Sequence, residues 1–114
     1  MRLGVLDIGS NTVHLLVADV HPGGRPLATS STRTVLRLMR YLEPDGSISE
    51  EGVDALVSAV AEARVVAERE NVSELLATAT SAVRDATNGA EVIARIEEAL
   101  GQDLHCLLYT SPSP

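Results

Sequence analysis

Two apolar runs separated by a very short polar segment occupy the first twenty residues, and this arrangement constrains the fold more than any other feature. The first run, residues 3–6, is aliphatic and is followed by turn residues, which is typical of a buried strand that brings Asp7 to a sheet edge. The second run, residues 13–20, follows so soon that the two strands are expected to pair antiparallel. The chain is therefore predicted to begin with a β-hairpin.

The segment between these runs, Gly9, Ser10, Asn11 and Thr12 (the 9–12 turn), has the composition of an anion-binding turn. We expect Gly9 to take a positive φ and to let a ligand approach the backbone, while hydroxyl, amide and backbone N–H groups donate to the anion. Asp7 would repel that anion, so it is expected to hold a divalent metal or to orient water. An ordinary hairpin without a ligand explains the same residues.

Length and composition limit the possible functions. A chain of 114 residues that is 45% hydrophobic can build the core of one domain, whereas a two-domain cleft enzyme needs more. Two tyrosines are the only aromatic residues and the formal net charge is −7, so nucleic acid is not expected as a partner. All nine cationic side chains are arginines, so phosphate recognition would use guanidinium groups and not the lysine of a P-loop.

The sequence shows neither a signal-peptide pattern nor an apolar stretch long enough to span a membrane, and it has one cysteine. We therefore expect a cytoplasmic protein without a membrane partner.

Periodicity and capping residues predict the elements that follow the hairpin. Residues 27–39 are expected to be extended at least in part, and Asp45 and Gly46 are expected to form a turn. Ser49 is predicted to cap a helix that runs to about Glu70.

A second helical unit is predicted in the last third of the chain. Asn71 can take the left-handed conformation that ends the first helix, and residues 75–79 are expected to form a strand parallel to the first. Asn88 and Gly101 bound a second helix, and residues 104–108 form a final strand. The predicted class is α/β, with the order β-β-β-α-β-α-β and a mixed five-stranded sheet.

Two segments resemble the exopolyphosphatase and guanosine-pentaphosphate phosphatase (Ppx/GppA) family. They are residues 7–12, Asp-Ile-Gly-Ser-Asn-Thr, and residues 79–88, Ala-Thr-Ser-Ala-Val-Arg-Asp-Ala-Thr-Asn. The resemblance covers residues 1–107 and implies an amino-terminal phosphate-binding domain of the ribonuclease-H-like kind, as in the actin, sugar-kinase and Hsp70 superfamily. Residues 108–114 form a Ser/Pro tail that we expect to be disordered or not native.

The resemblance also implies a function and a set of site residues. The parent protein, expected to be a homodimer, would release the terminal phosphate of inorganic polyphosphate, or a phosphate of guanosine pentaphosphate, with Mg²⁺. The 9–12 turn would hold that phosphate, Asp7 would position the metal or its water, and Arg84 would neutralise phosphate oxygens. The alternative for Arg84 is a surface ion pair with Asp85 or Glu91.

Three further residues are weighed for the same site. Arg37 matches a family R-L segment at the end of the third strand and is expected to bind substrate, although Met39 stands where family members often have glycine. Arg33 is expected on the same strand face, where an arginine that protects an edge strand explains it as well. For His14, a partly buried structural role is preferred.

The family pattern ends early in this chain. A glutamate segment expected to activate water and a second glycine-rich loop do not follow residue 104, so this chain alone is expected to be inactive. Two alternatives stay open: a noncatalytic module that binds phosphate or a partner chain and, with less support, a sugar-kinase or Hsp70-like ATPase domain.

Overall fold

The computed structural model describes residues 1–25, 27–102 and 105–106. The prediction for the tail over residues 108–114, and most of that for a strand over residues 104–108, lies outside these ranges. Within them the predicted order β-β-β-α-β-α-β is confirmed, and two short helices are added to it.

A mixed β-sheet forms one layer of the fold, and its strands lie in the order β3-β2-β1-β4-β5. Four strands contain six to nine residues each, and the last contains two. The central strand β1 pairs antiparallel with β2 and parallel with β4, as the sequence predicts. The strands are β1 Arg2–Ile8, β2 Thr12–Asp19, β3 Leu27–Val35, β4 Glu74–Ala79 and β5 His105–Cys106.

Helices connect β3 to β4 and β4 to β5. They are a 3-10 helix, Leu38–Tyr41, and the α-helices α1 Glu50–Arg69, α2 Ser81–Arg84 and α3 Gly89–Leu100. The Ser49 hydroxyl accepts a hydrogen bond from the Gly52 amide at 3.2 Å, which confirms the predicted start of α1. Asn71 follows α1 with φ 61° and Gly101 follows α3 with φ 77°, as predicted for left-handed closing residues. Within the described ranges, none of the helices combines the length and the apolar character needed to span a bilayer.

The two faces of the sheet differ in composition. Alternate residues of β1 and β2 are buried under the helices and share one core with them: Leu6, Ile8, Val13, Leu15, Val17, Leu56, Val60, Val92 and Ile96. The opposite side, called here the open face, carries Leu3, Val5 and Leu16 half-buried and Leu76 exposed in the described part of the chain. The helix layer and its core therefore lie on one side of the sheet.

An ion pair fixes the end of the sheet that lies away from the 9–12 turn. Arg2 donates from Nε to Asp19 Oδ1 at 2.8 Å and from Nη1 to the Glu70 carbonyl at 2.8 Å. The hydrogen bond from Arg2 holds the pKa of Asp19 below its ordinary value of 3.8. The Arg2 guanidinium group thus joins the start of β1 to the end of β2 and to the end of α1.

The lowered pKa of Asp19 predicts a pH dependence of stability. Because the folded-state pKa lies below that of the unfolded chain, the stabilisation is complete above pH 3.8 and is lost as the pH falls through the folded-state value. In thermal melts at decreasing pH, Asp19→Asn should therefore remove part of the fall in melting temperature that begins near pH 4. Asp85→Asn, which removes an exposed carboxylate without a described hydrogen bond, should leave that fall unchanged. Parallel curves for the wild type and Asp19→Asn would contradict the linkage.

Candidate active site

Both family-like segments lie at the same end of the sheet. Because β1 and β4 are parallel neighbours with Ile8 opposite Ala79, their carboxyl ends are adjacent. The 9–12 turn follows β1, and Thr80 and α2 follow β4. The Thr80 amide donates to the Ile8 carbonyl at 3.0 Å, which joins the two segments directly. Residues that are far apart in sequence therefore meet at one edge of the fold.

Gly9 closes the 9–12 turn in a way that differs from our expectation. Its amide donates to the Thr12 carbonyl at 2.9 Å, but its φ is not positive, so that prediction is wrong. A Cβ atom at Gly9 would lie 3.2 Å from the Thr12 carbonyl oxygen. The glycine thus permits a close approach between the two ends of the turn.

The carbonyls of the 9–12 turn are used within the fold, whereas several of its donors are not. Ser10 accepts from the Leu38 amide at 2.7 Å, and Asn11 accepts from the amides of Leu36 at 2.7 Å and Arg37 at 3.1 Å. In the part of the chain that the structure describes, the amides of Ser10 and Asn11 have no acceptor, and the side chains of the turn make no hydrogen bond. A turn with tethered carbonyls and unused N–H groups is suited to an anion.

Asp7 is exposed near the end of β1, opposite His14 of β2 and Thr78 of β4. Its carboxylate makes no hydrogen bond or ion pair with a described residue. Among the described residues no three His, Cys, Asp or Glu side chains form a metal-binding group. Mg²⁺ is commonly held by one or two carboxylates together with substrate phosphates and water. The donor set at Asp7 fits that kind of coordination, in which the substrate supplies further ligands.

Arg37 does not lie on the third strand, so its predicted placement there is wrong. The ladder between β2 and β3 ends at Thr12 and Val35, and beyond it the next amides bond to the 9–12 turn. Arg37 adopts a left-handed conformation, φ 56° and ψ 66°, immediately before the 3-10 helix. Consequently it does not share a strand face with Arg33. It remains beside the 9–12 turn, because its amide donates to Asn11.

Arg84 lies in α2 and is half-buried. Its Nε atom is shielded from solvent and has no hydrogen-bond partner among the described residues, and the same is true of Thr80 Oγ1. The alternative ion pair of Arg84 with Asp85 or Glu91 does not form in the described structure. Buried polar atoms in proteins usually have hydrogen-bond partners, so Thr80 Oγ1 and Arg84 Nε are both free to bond to a polar ligand or to water.

Thr80 is a residue that our sequence reasoning did not assign a role. It lies in the family-like segment over residues 79–88, but nothing in the pattern separates its hydroxyl from that of the neighbouring serine. Only the burial of Oγ1 next to Arg84 singles it out.

Asn88 connects the segment after α2 to the turn before α1. Its Oδ1 accepts from the Ile48 amide at 2.9 Å and its Nδ2 donates to the Ile48 carbonyl at 3.0 Å. The neighbouring Thr87 donates from Oγ1 to the Asp45 carbonyl at 2.6 Å and from its amide to the Gly46 carbonyl at 3.0 Å. Asn88 does precede α3, but its side chain makes no capping bond to that helix. We call the hydrogen bonds of Thr87 to Asp45 and Gly46, together with those of Asn88 to Ile48, the 45–88 clamp.

Gly89 brings α3 against the end of α2. A Cβ atom at this position would lie 2.5 Å from the Arg84 carbonyl oxygen and 2.7 Å from that of Val83. Only glycine fits so close to the backbone of α2. Together with the 45–88 clamp, this contact sets the position of the helical turn that carries Arg84.

Comparisons with known proteins match most of this chain to one family. The family model for Ppx/GppA phosphatases matches residues 16–108. The chain is 49% identical over 107 residues to Exopolyphosphatase 1 of Mycobacterium tuberculosis, a match that covers 94% of this chain and 31% of that protein. It thus spans about a third of the length of the curated relatives that it matches.

Two solved structures show the same fold. An exopolyphosphatase from Cytophaga hutchinsonii is 32% identical and has a TM-score of 0.84. The match covers 93% of this chain and 34% of the exopolyphosphatase chain. A Ppx/GppA phosphatase from Aquifex aeolicus has a TM-score of 0.84 at 23% identity, covering 94% and 35% of the two chains. At that identity the second match speaks for the fold alone.

Proposed function

Since the chain belongs to the Ppx/GppA phosphatase family and has that family's actin-like, ribonuclease-H-like α/β fold, we propose that it is the amino-terminal, phosphate-binding part of an exopolyphosphatase. Two observations carry the proposal. Arg84 Nε and Thr80 Oγ1 are buried without a described partner, and the Thr80 amide bonds to Ile8, immediately before a turn with unused amides. Donors of this kind, fixed in advance, are what a transferring phosphoryl group requires.

Each group has a defined task in this proposal. The amides of Ser10 and Asn11 bind oxygens of the terminal phosphate, and the Arg84 guanidinium balances the charge that develops as the phosphoanhydride bond breaks. Asp7 would hold Mg²⁺, which neutralises phosphate charge when bound. Arg37 adds a second guanidinium group near the turn. The water-activating glutamate that the family resemblance implies is not assigned to any residue of this chain, so hydrolysis would require further parts of a longer protein.

Inorganic polyphosphate is the substrate we propose. Its support is the 49% identity to a protein named as an exopolyphosphatase. Guanosine pentaphosphate presents the same terminal chemistry and is the competing substrate to be tested.

Phosphate release by the full-length gene product tests this function. With Mg²⁺ present, we expect release of inorganic phosphate from long-chain polyphosphate at a higher kcat/KM than from guanosine pentaphosphate. Asp7→Asn should raise the Mg²⁺ concentration that gives half the maximal rate by about tenfold, because the metal loses a carboxylate ligand. Asp54→Asn, on the exposed side of α1, is the matched control and should leave that concentration unchanged.

Two results would contradict the proposal. Absence of phosphate release from both substrates, with polyphosphate still bound, would favour a noncatalytic binding module. Phosphate release or transfer that depends on ATP would favour a kinase-type or chaperone-type ATPase.

A further inference from the structure

A row of polar side chains crosses the open face of the sheet next to Asp7. The strand register places Arg33 of β3 opposite His14 of β2, His14 opposite Asp7 of β1, and Asp7 opposite Thr78 of β4. Directly opposed residues point to the same face, with Cβ atoms about 5 Å apart. Arg33 and His14 are thus the next two side chains in line from Asp7 toward the edge strand β3.

The fold uses the two basic side chains of this row to different extents. Arg33 is exposed and makes no ion pair or hydrogen bond with a described residue, although the chain contains sixteen acidic residues. His14 Nε2 lies 2.7 Å from Ser31 Oγ, which places the ring beside β3. The whole Arg33 guanidinium group is therefore available to an anion on the open face, and the His14 ring offers Nδ1, which has no partner among the described residues.

The position of the row relates it to the 9–12 turn. Thr12, the last residue of the 9–12 turn, lies two residues before His14 on β2 and so points to the same face, about 7 Å from it. Beyond the row, away from the turn, the open face becomes apolar through Val5, Leu16 and Leu76. A linear anion held at the turn can thus continue past Thr12 to His14 and Arg33, but it gains no charged contact farther along β1 and β2.

On the basis of the proposed function, we propose that Arg33 and His14 form a secondary binding track for the internal phosphates of a polyphosphate chain whose terminal phosphate lies in the 9–12 turn. The chemistry matches because every internal phosphate of such a chain carries negative charge, and a guanidinium group binds phosphate oxygens through paired N–H donors. A track of this kind makes long substrates bind more tightly than short ones, since inorganic phosphate reaches only the turn.

Titrations of the 114-residue chain, followed by nuclear magnetic resonance, test the track. The probes are inorganic phosphate and long-chain sodium polyphosphate. Arg33→Gln should weaken polyphosphate binding about fivefold and leave the binding of inorganic phosphate unchanged. The slope of the logarithm of the polyphosphate binding constant against the logarithm of the salt concentration should fall by the amount expected for one lost phosphate contact. His14→Gln should act in the same direction.

Arg25→Gln is the matched control, because it removes the same charge from the β2–β3 turn at the opposite end of the sheet. It should leave both affinities unchanged. If Arg25→Gln and Arg33→Gln weaken polyphosphate binding equally, the attraction is nonspecific and the track is overturned, while the 9–12 turn keeps its proposed function. If neither probe shifts the amide signals of Ser10 and Asn11, both proposals fail.

Discussion

Replacing Arg84 with alanine is expected to lower the turnover number of the full-length protein about 10²-fold, the usual effect of removing one group that stabilises developing charge. The melting temperature should change little, because Nε of Arg84 has no hydrogen bond to lose among the described residues and the side chain forms no described ion pair. A lower turnover number with an unchanged melting temperature would indicate that the side chain acts on the substrate and does not stabilise the fold.

The measurement is phosphate release at saturating polyphosphate, together with a thermal melt of each variant. Arg84→Lys keeps the charge but loses the paired donors of the guanidinium group, so only part of the rate should return. Arg95→Ala, which removes exposed ion pairs to Glu50 and Asp54, is the control for loss of an arginine. An unchanged rate in Arg84→Ala would remove Arg84 from the site, and a large fall in melting temperature would assign it a structural role.

Replacing Asn88 with alanine should lower the free energy of unfolding by about 2–3 kcal/mol. Ile48 is only 2% exposed, and both its amide and its carbonyl are bonded to the Asn88 side chain. Alanine leaves these two backbone groups without partners in a shielded place, and an unpaired buried group costs more than an average hydrogen bond contributes.

Chemical denaturation of the 114-residue chain measures this loss. Asn88→Asp provides the graded comparison, because its carboxylate can still accept from the Ile48 amide but has no N–H for the carbonyl, so an intermediate destabilisation is expected. A loss below about 0.5 kcal/mol for Asn88→Ala would show that water replaces the two hydrogen bonds between Asn88 and Ile48 at little cost.

Features that depend on near neighbours in the sequence were predictable. The hydroxyl of Ser49 needs only an amide three residues later, and Gly101 needs only the end of its own helix. The first hairpin could be predicted equally well, because two apolar runs joined by a short turn leave few other ways for the strands to pair. For the site, the local pattern identified the segment around Asp7 and the family resemblance added the segment around Arg84; the fold brings both to one end of the sheet.

Features that depend on distant partners were not predictable. Arg37 leaves the strand because the ladder ends at Val35 and the amides beyond it bond to Asn11, a contact between separate loops. Asparagine is a residue type that often caps helices, but the Asn88 side chain bonds instead to the backbone of Ile48, forty residues earlier. Thr80 is a candidate only because its hydroxyl is buried without a partner among the described residues, and no sequence pattern specifies the burial of a single hydroxyl.

The parallel pairing of β1 with β4 also determines when the site can exist. The paired residues are about 70 positions apart, and closing so long a loop has an entropic cost that must be met before any contact in the ladder forms. A growing chain on the ribosome therefore carries the 9–12 turn long before the segment with Thr80 and Arg84 can join it at the same end of the sheet. Under the proposed function, the 9–12 turn alone would supply only part of the phosphate site, and the site would be completed in one late step of folding, when β4 joins the hairpin.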